Sequence, residues 1–238
     1  MSDAISTRGT VLPASVGAGQ ALRLEMSLPQ RERRVYERAK RLLDIVATGA
    51  GLLMLAPLFA LVAIAIRLDS SGAVLFSQTR VGRHGRTFRC WKFRSMFVDA
   101  EARKAALMAD NEMDGGVIFK MKRDPRITRV GRFIRKASID ELPQLWNVFT
   151  GDMSLVGPRP ERPVFIQEFR SRIPRYMLRH KVPAGITGWA QINGWRGDTS
   201  IDKRIEYDLY YIEHWSLLLD LKILCMTPFR GFASRNAY

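Results

Sequence analysis

Hydrophobic and polar positions divide this 238-residue chain into stretches of different character. Residues 1–30 are small and polar with no apolar core, which predicts a flexible tail rather than a cleavable export signal and leaves the folded part in the cytosol. Residues 31–68 begin as a basic helix, RERRVYERAKR from Arg31 to Arg41, and continue into a charge-free run from Ile45 to Ile66. As a straight helix that run would be roughly 33 Å long, the thickness of a bilayer's hydrocarbon core. Residues 69–238 alternate short strand-like and helix-like periods and read as one cytosolic domain.

Two features oppose a simple membrane span. Arg31, Arg33, Arg34, Arg38, Lys40 and Arg41 precede the apolar run, and Arg67, Arg80, Arg83, Arg86 and Arg89 follow it, so both flanks carry the positive charge of a cytoplasmic side. Pro57 lies near the middle, where it removes a backbone hydrogen bond and breaks or bends the helix. Each half is then too short to cross alone. A reentrant helix that enters and leaves on one face satisfies both observations. Asp44, at the mouth of the run, needs a partner in that setting, and Lys40 and Arg41 are near enough on the same helix to hold it at the interface.

In the domain, Ala73 to Gln78 and Thr87 to Phe93 read as two short strands around a turn at Gly82 to Gly85. A short helix over Ala100 to Ala106, a loop around Asp114 to Gly116 and a basic helix-turn, DPRITRVGRFIRKAS, follow. The C-terminal stretch SIDKRIEYDLYYIEHWSLLLDLKILCMTPF repeats apolar and aromatic residues at helical spacing, as a helix packed on the domain or on a bilayer surface does. The fold class is α+β: a reentrant membrane helix, a compact domain with a small strand element, and interfacial helices.

The composition is 47% hydrophobic with a formal charge of +15, which points to polyanionic partners: nucleic acid, anionic lipid or nucleotide phosphates. Only Cys90 and Cys225 occur, far apart and without histidine neighbours, so neither a disulfide framework nor a zinc site is expected. Helix-turn-helix, RNA-binding and zinc-finger signatures are absent, and the basic residues cluster beside the membrane segment, which argues against nucleic acid.

Chemistry concentrates between Arg135 and Pro160, RKASIDELPQLWNVFTGDMSLVGPRP. Asp140 and Glu141 sit among arginines and turn signals. Ser138 three residues before Glu141 fits a helix capping box, but Pro143 would then fall in the helix interior, so Pro143 is better placed as the first residue of the helix PQLWNVF. The dyad then precedes a helix N-terminus, whose dipole would keep Asp140 ionised. Lys92 and Arg94 on the second strand suit phosphates or lipid headgroups, or form a solvated face. Trp189, Gln191, Asn193, Trp195 and Arg196 suit a base or sugar hydroxyls, or pack as a tryptophan core under a loop.

Taken in order, KRLLD, VLFSQTRVGRHG, WKFRSM, DPRITRVGRFIRKASIDELPQLWNV, GDMSLVGPRP and PAGITGWAQINGWRG resemble the monotopic bacterial sugar transferases, the polyprenol-phosphate phosphoglycosyl transferases, over Lys40 to Phe229. The resemblance implies transfer of a sugar 1-phosphate from a UDP-sugar to undecaprenyl phosphate with Mg2+, at the cytoplasmic face of the bacterial inner membrane, releasing UMP and starting exopolysaccharide or O-antigen assembly. It implies Asp140 as the nucleophile that carries a covalent phospho-aspartate, Glu141 as its acidic partner in metal binding or proton handling, and Arg135 and Arg159 as phosphate contacts. Asp140 and Glu141 are the metal ligands it suggests, and Pro57 matches the family's reentrant helix. Membrane phospholipids and a homodimer complete the implied partners, and the C-terminal stretch is similar to members that use UDP-glucose or UDP-galactose. The rival readings are a nucleotide-sugar glycosyltransferase releasing UDP, against which no strict Asp-x-Asp motif is present, and a basic membrane scaffold, which leaves the dyad idle.

Overall fold

A computed structural model describes residues 30–104, 106–107, 121, 124–197 and 199–231. The expected N-terminal tail up to residue 29 and the expected loop at 114–116 lie outside the described residues. Helix α1 (Gln30–Asp69) is a single helix of 40 residues, about 60 Å long at the usual rise. Pro57 does not divide it: helix continues on both sides, a correction to the expected break. A proline removes one rung of the ladder and crowds the preceding turn, and the rungs on either side still form.

The two ends of α1 are buried in different ways. Tyr36, Lys40, Asp44 and Thr48 form a buried row at four-residue spacing, one helix face. Val62 and Ile66 continue the burial near the other end, against Phe93 and Ile134. Between them Leu53, Met54, Leu61 and Ile64 are exposed. Only 11% of the most apolar window is covered by protein, so α1 is not the core helix of a soluble domain.

The polar row of α1 has specific partners. Lys40 Nζ donates to Asp220 Oδ2 at 2.7 Å and to the carbonyl of Val156 at 2.9 Å. Tyr36 and Tyr211 donate their hydroxyls to the same Asp220. Asp44 Oδ1 accepts from the Leu155 amide at 2.9 Å, and Arg41 donates to the carbonyls of Val148 and Phe149. The anchor expected within α1 is therefore corrected: the Lys40 ammonium, Arg41 and the Asp44 carboxylate each reach across to the domain. A buried ammonium needs acceptors and a counter-charge, and Asp220 with Val156 supplies two acceptors and one negative charge.

After α1, strands β1 (Leu75–Val81) and β2 (Thr87–Phe93) pair antiparallel, from Leu75 opposite Phe93 to Val81 opposite Thr87. β1 starts two residues later than the pattern suggested. Short helix α2 (Ala100–Lys104) and basic helix α3 (Arg129–Lys136) follow, the latter capped by Thr128, whose hydroxyl accepts from Gly131 N. Asp69 at the end of α1 accepts from the Val130 amide, which ties α1 to α3.

Helix α4 (Gln144–Thr150) leads through Gly151 to β3 (Ser154–Val156), which pairs in parallel with β4 (Gly185–Thr187). This second two-stranded element was not legible in the pattern. Its glycines explain the closeness: a Cβ on Gly157 would lie 2.3 Å from the Pro183 carbonyl, and one on Gly185 would lie 2.1 Å from Gly157 N. Helix α5 (Pro163–Arg172) and a 3-10 segment at Tyr176–Lys181 connect the two strands. Helices α6 (Trp189–Ile192), α7 (Ile201–Glu213) and α8 (Leu217–Met226) close the fold. Tyr36, Val156, Leu178, Val182, Ile192, Tyr211, Trp215 and Ile223 share one core, so α1 is built into it. The architecture is α+β, with one long apolar helix and two small sheets.

Candidate active site

The backbone enters the acidic dyad through Ser138, which adopts a left-handed conformation (φ 54°) and makes no side-chain cap. Ile139–Glu141 then form a single 3-10 turn, and Pro143 immediately precedes α4 at φ −60°, one position earlier than expected. This turn places both carboxyl groups in the interior: Asp140 and Glu141 are buried.

Glu141 lies at the meeting point of three cationic side chains from distant segments. Lys92 Nζ of β2 is 2.7 Å from its Oε1. Arg159, just after β3, donates from Nη1 to Oε2 at 3.1 Å and from Nη2 to Oε1, a two-pronged contact. Arg196, beyond α6, lies 3.6 Å from Oε2 and reaches Ser138 Oγ at 3.3 Å. Burial acts to raise the Glu141 pKa, but Arg159, Lys92 and Arg196 outweigh it and hold the carboxyl well below the usual carboxylate range.

Asp140 has the opposite balance. Its Oδ2 is 3.9 Å from Lys92 Nζ, and its Oδ1 is buried with no hydrogen-bond partner. Burial pushes its pKa up, repulsion from Glu141 adds to that, and Lys92, Arg135 and Arg159 oppose it. The expectation that a helix dipole keeps Asp140 ionised is corrected: burial leaves its anion less favoured than usual, and neighbouring cations supply what stabilisation there is. Two adjacent carboxyls are thus driven apart in acidity, the pattern of a pair with separate tasks.

Lys92, Arg159 and Arg196 are therefore gathered at the dyad, and Arg135 at the end of α3 acts on Asp140 through its charge. Arg94 is placed elsewhere. Its guanidinium donates to the carbonyls of Ile66, Ser70 and Ser71, closing the C-terminus of α1, which corrects its expected contact with substrate. An arginine fork satisfies several carbonyls at once, and Arg94 meets those at and just past the end of α1. Gln191 is buried, donates to the Ile186 carbonyl at 3.0 Å and leaves its Oε1 without a partner. Trp189 packs on the core and stacks on Tyr210 at 5.5 Å, Trp195 lies 5.9 Å from Tyr207, and Asn193 donates to the Trp189 carbonyl, so these groups serve packing.

Residues behind the dyad escaped the sequence reading. Arg179 pairs with Asp208 at 2.7 Å and donates to the carbonyl of Arg159 at 2.8 Å. Arg204 pairs with Glu161 at 3.1 Å. Asn147 accepts from the Trp91 amide and donates to the Arg89 carbonyl, which fixes β2, and so Lys92, against α4. A signal existed for part of this: Arg204, Asp208 and Tyr211 recur on one face of α7 beside Ile205 and Ile212, and all are buried.

Four cations around two carboxylates leave net positive charge for an anionic substrate. No group of three or more His, Cys, Asp or Glu converges among the described residues. Asp140 Oδ1 is the open acceptor. A single carboxylate oxygen together with phosphates of a substrate is a donor set that magnesium accepts, so the residues present fit that ion.

The family model described as "Bacterial sugar transferase" matches residues 35–234. The chain is 47% identical over 203 residues to the UDP-glucose:undecaprenyl-phosphate glucose-1-phosphate transferase of Escherichia coli strain K12, covering 84% of this chain and 41% of that protein. It is 44% identical over 204 residues to the Caulobacter vibrioides protein of the same name, covering 84% of this chain and 72% of that one. It is 43% identical over 206 residues to a UDP-N-acetylgalactosamine-undecaprenyl-phosphate N-acetylgalactosaminephosphotransferase of Aeromonas hydrophila, covering 84% and 46%. The chain thus spans about two fifths of the Escherichia coli relative's length. With a match across most of its sequence and the dyad, its cations and the GPRP turn all inside the matched range, this chain belongs to the bacterial sugar transferase family.

Proposed function

We propose that this protein transfers a sugar 1-phosphate from a UDP-sugar to undecaprenyl phosphate at the cytoplasmic face of the bacterial inner membrane. The observation that carries the proposal is the buried dyad, with Glu141 saturated by cations and Asp140 holding one unpartnered oxygen. Asp140 is the nucleophile. Its oxygen forms a bond to the sugar-proximal phosphorus, the bridging P–O bond breaks, and UMP leaves with the bonding electrons. An oxygen of undecaprenyl phosphate then attacks the phospho-aspartate, releases the Asp140 carboxylate and yields the undecaprenyl diphosphate sugar.

Lys92, Arg135, Arg159 and Arg196 offset the repulsion between this carboxylate and a diphosphate, and hold the phosphates as charge moves to the leaving UMP. Glu141, held ionised, anchors Arg159 and Lys92. Mg2+, held by Asp140 and the substrate's phosphates, supplies further neutralisation when bound.

Two features of α1 support the membrane placement. Its two ends are buried against one domain while its apolar middle is exposed, and arginines flank the apolar run on both sides. This supports a reentrant helix that dips in and returns on one side. Relatives are named for glucose, galactose and N-acetylgalactosamine, and the resemblance of the C-terminal stretch favours glucose or galactose 1-phosphate.

The test is the purified full chain incubated with undecaprenyl phosphate and a panel of UDP-sugars, with the released nucleotide identified. UMP is expected, with a phosphorylated protein trapped when the lipid is withheld. Asp140→Asn should fold and give neither. Release of UDP would establish a glycosyltransferase instead, and substantial UMP from Asp140→Asn would exclude the nucleophile.

A further inference from the structure

A second cationic site lies away from the dyad. A cavity of ≈430 Å³ opens beside the first turns of α1, and Arg34, Arg38, Arg83 and Trp215 are on its wall. None of Lys92, Asp140, Glu141, Arg159 or Arg196 lines it. Its acids are already engaged: Glu37 by Arg33 and Arg83, Asp44 by the Leu155 amide, and Asp152 by Asn147. Its donors are not. Arg34 and Arg38 are exposed and have no ion pair or hydrogen bond among the described residues. Arg83 Nε and the indole N–H of Trp215 are both buried without a partner, although Trp215 is only 3% exposed. Five cationic side chains against three acids on this wall, with Arg34 and Arg38 unpaired, call for an anion.

The helix also indicates what carries that anion. Arg34, Arg38, Leu42 and Val46 form a single row at four-residue spacing, all exposed, with Leu42 and Val46 at 63% and 62%. The row changes from cationic to apolar at the point where the charge-free run of α1 begins. An amphiphile with a phosphate at one end and a hydrocarbon chain at the other matches that change of character; a soluble phosphate matches only its first half. We propose that this cleft is a binding site for an anionic membrane phospholipid, with its phosphate among Arg34, Arg38, Arg83 and the Trp215 N–H and its chain along Leu42 and Val46. The anion site stands on the cavity alone, whereas the choice of a lipid rests on the reading that α1 enters the bilayer.

The test is calorimetric titration of the full chain, in neutral detergent, with dihexanoyl phosphatidylglycerol, and separately with inorganic phosphate. The lipid is expected to bind, and R34Q/R38Q, changes at exposed positions, should weaken it at least tenfold. Trp215→Phe, which keeps an aromatic side chain and removes the N–H, should weaken it severalfold. A saturating UDP-sugar should not compete, which separates this site from the dyad and leaves the result independent of the transfer reaction. Unchanged lipid affinity in R34Q/R38Q, competition by the UDP-sugar, or no binding would each overturn the site. Equal affinity for inorganic phosphate would overturn the lipid.

Discussion

Arg179 donates to the backbone carbonyl of Arg159 at 2.8 Å while the same nitrogen contacts Asp208 at 2.7 Å. The residue that grips Glu141 is thus held from behind by a buried ion pair. Removing one partner leaves the other charge without compensation, so Asp208→Ala should cost about 3–5 kcal/mol of stability. The double change Asp208→Leu with Arg179→Met should recover most of that, because an apolar pair tolerates burial. Activity should stay at least about tenfold low, since the Arg159 carbonyl has lost its donor. Thermal unfolding in detergent and kcat/KM for UMP release check the two halves; recovery of both together would mean Arg179 serves stability alone.

Lys92 stabilises the Asp140 anion against burial. If Asp140 must be ionised to attack, the rate rises with pH as it loses its proton, and Lys92→Met should move that rise to higher pH. On the acid side of that rise the variant should be slowed by about tenfold or more, and by less above it. Lys92→Arg should restore the wild-type profile in large part. Measured pH profiles of kcat/KM decide it, and an unshifted limb would remove Asp140 as the titrating group.

His180 is buried with an unpartnered Nε2 beside Arg179. Burial, then the Arg179 charge, lowers its pKa to about 4 from 6.5. The unfolded imidazole therefore binds a proton at a pH where the folded one does not. Stability is complete above about 6.5 and falls as the pH drops toward 4, by on the order of 3 kcal/mol. His180→Phe should flatten this slope. Comparing unfolding of both proteins at pH 7.5 and pH 5 tests it, with equal slopes as the adverse outcome.

Gly157 carries the chain from β3 into the turn that presents Arg159. A methyl group there would meet the Pro183 carbonyl at 2.3 Å, so Gly157→Ala must push β3 and β4 apart. We expect a loss of about 1–3 kcal/mol, together with a fall in transfer rate larger than that of an equally destabilised variant far from the site. Circular dichroism melts beside kinetics provide the comparison.

A one-sided α1 puts its N-terminal turns and the domain on the same face of the membrane. With Cys90 and Cys225 replaced by Ser, single cysteines at Val35 and Arg172, both exposed, should resist a membrane-impermeant thiol reagent in intact cells. Labelling at Val35 alone would mean a true span. Pro57→Ala should increase that fraction, because it restores the missing backbone hydrogen bond and relieves the crowding that lets the helix bend, and a straight apolar helix matches the bilayer.

The sequence by itself determined the local features. A charge-free run flanked by arginines, the strand Thr87–Phe93 and the Pro143 helix start depend on neighbouring residues, and the structure holds them with small shifts. Asp140, Glu141 and Arg159 were legible as a chemical group because residue type and turn signals marked them, whereas Arg196 reads with a separate loop. Only the tertiary structure decided how they are arranged. Whether Lys92 or Arg94 faces the dyad depends on strand register and on which carbonyls end α1, and two cations two residues apart, one on β2 and one just past it, took different tasks. Asp220, 180 residues from Lys40, could not be paired with it by any local pattern. The same holds for the parallel contact of β3 with β4 and for the Arg179 support of Arg159. Each exists because a buried polar group must find its partner wherever the fold brings one, and sequence distance carries no information about that.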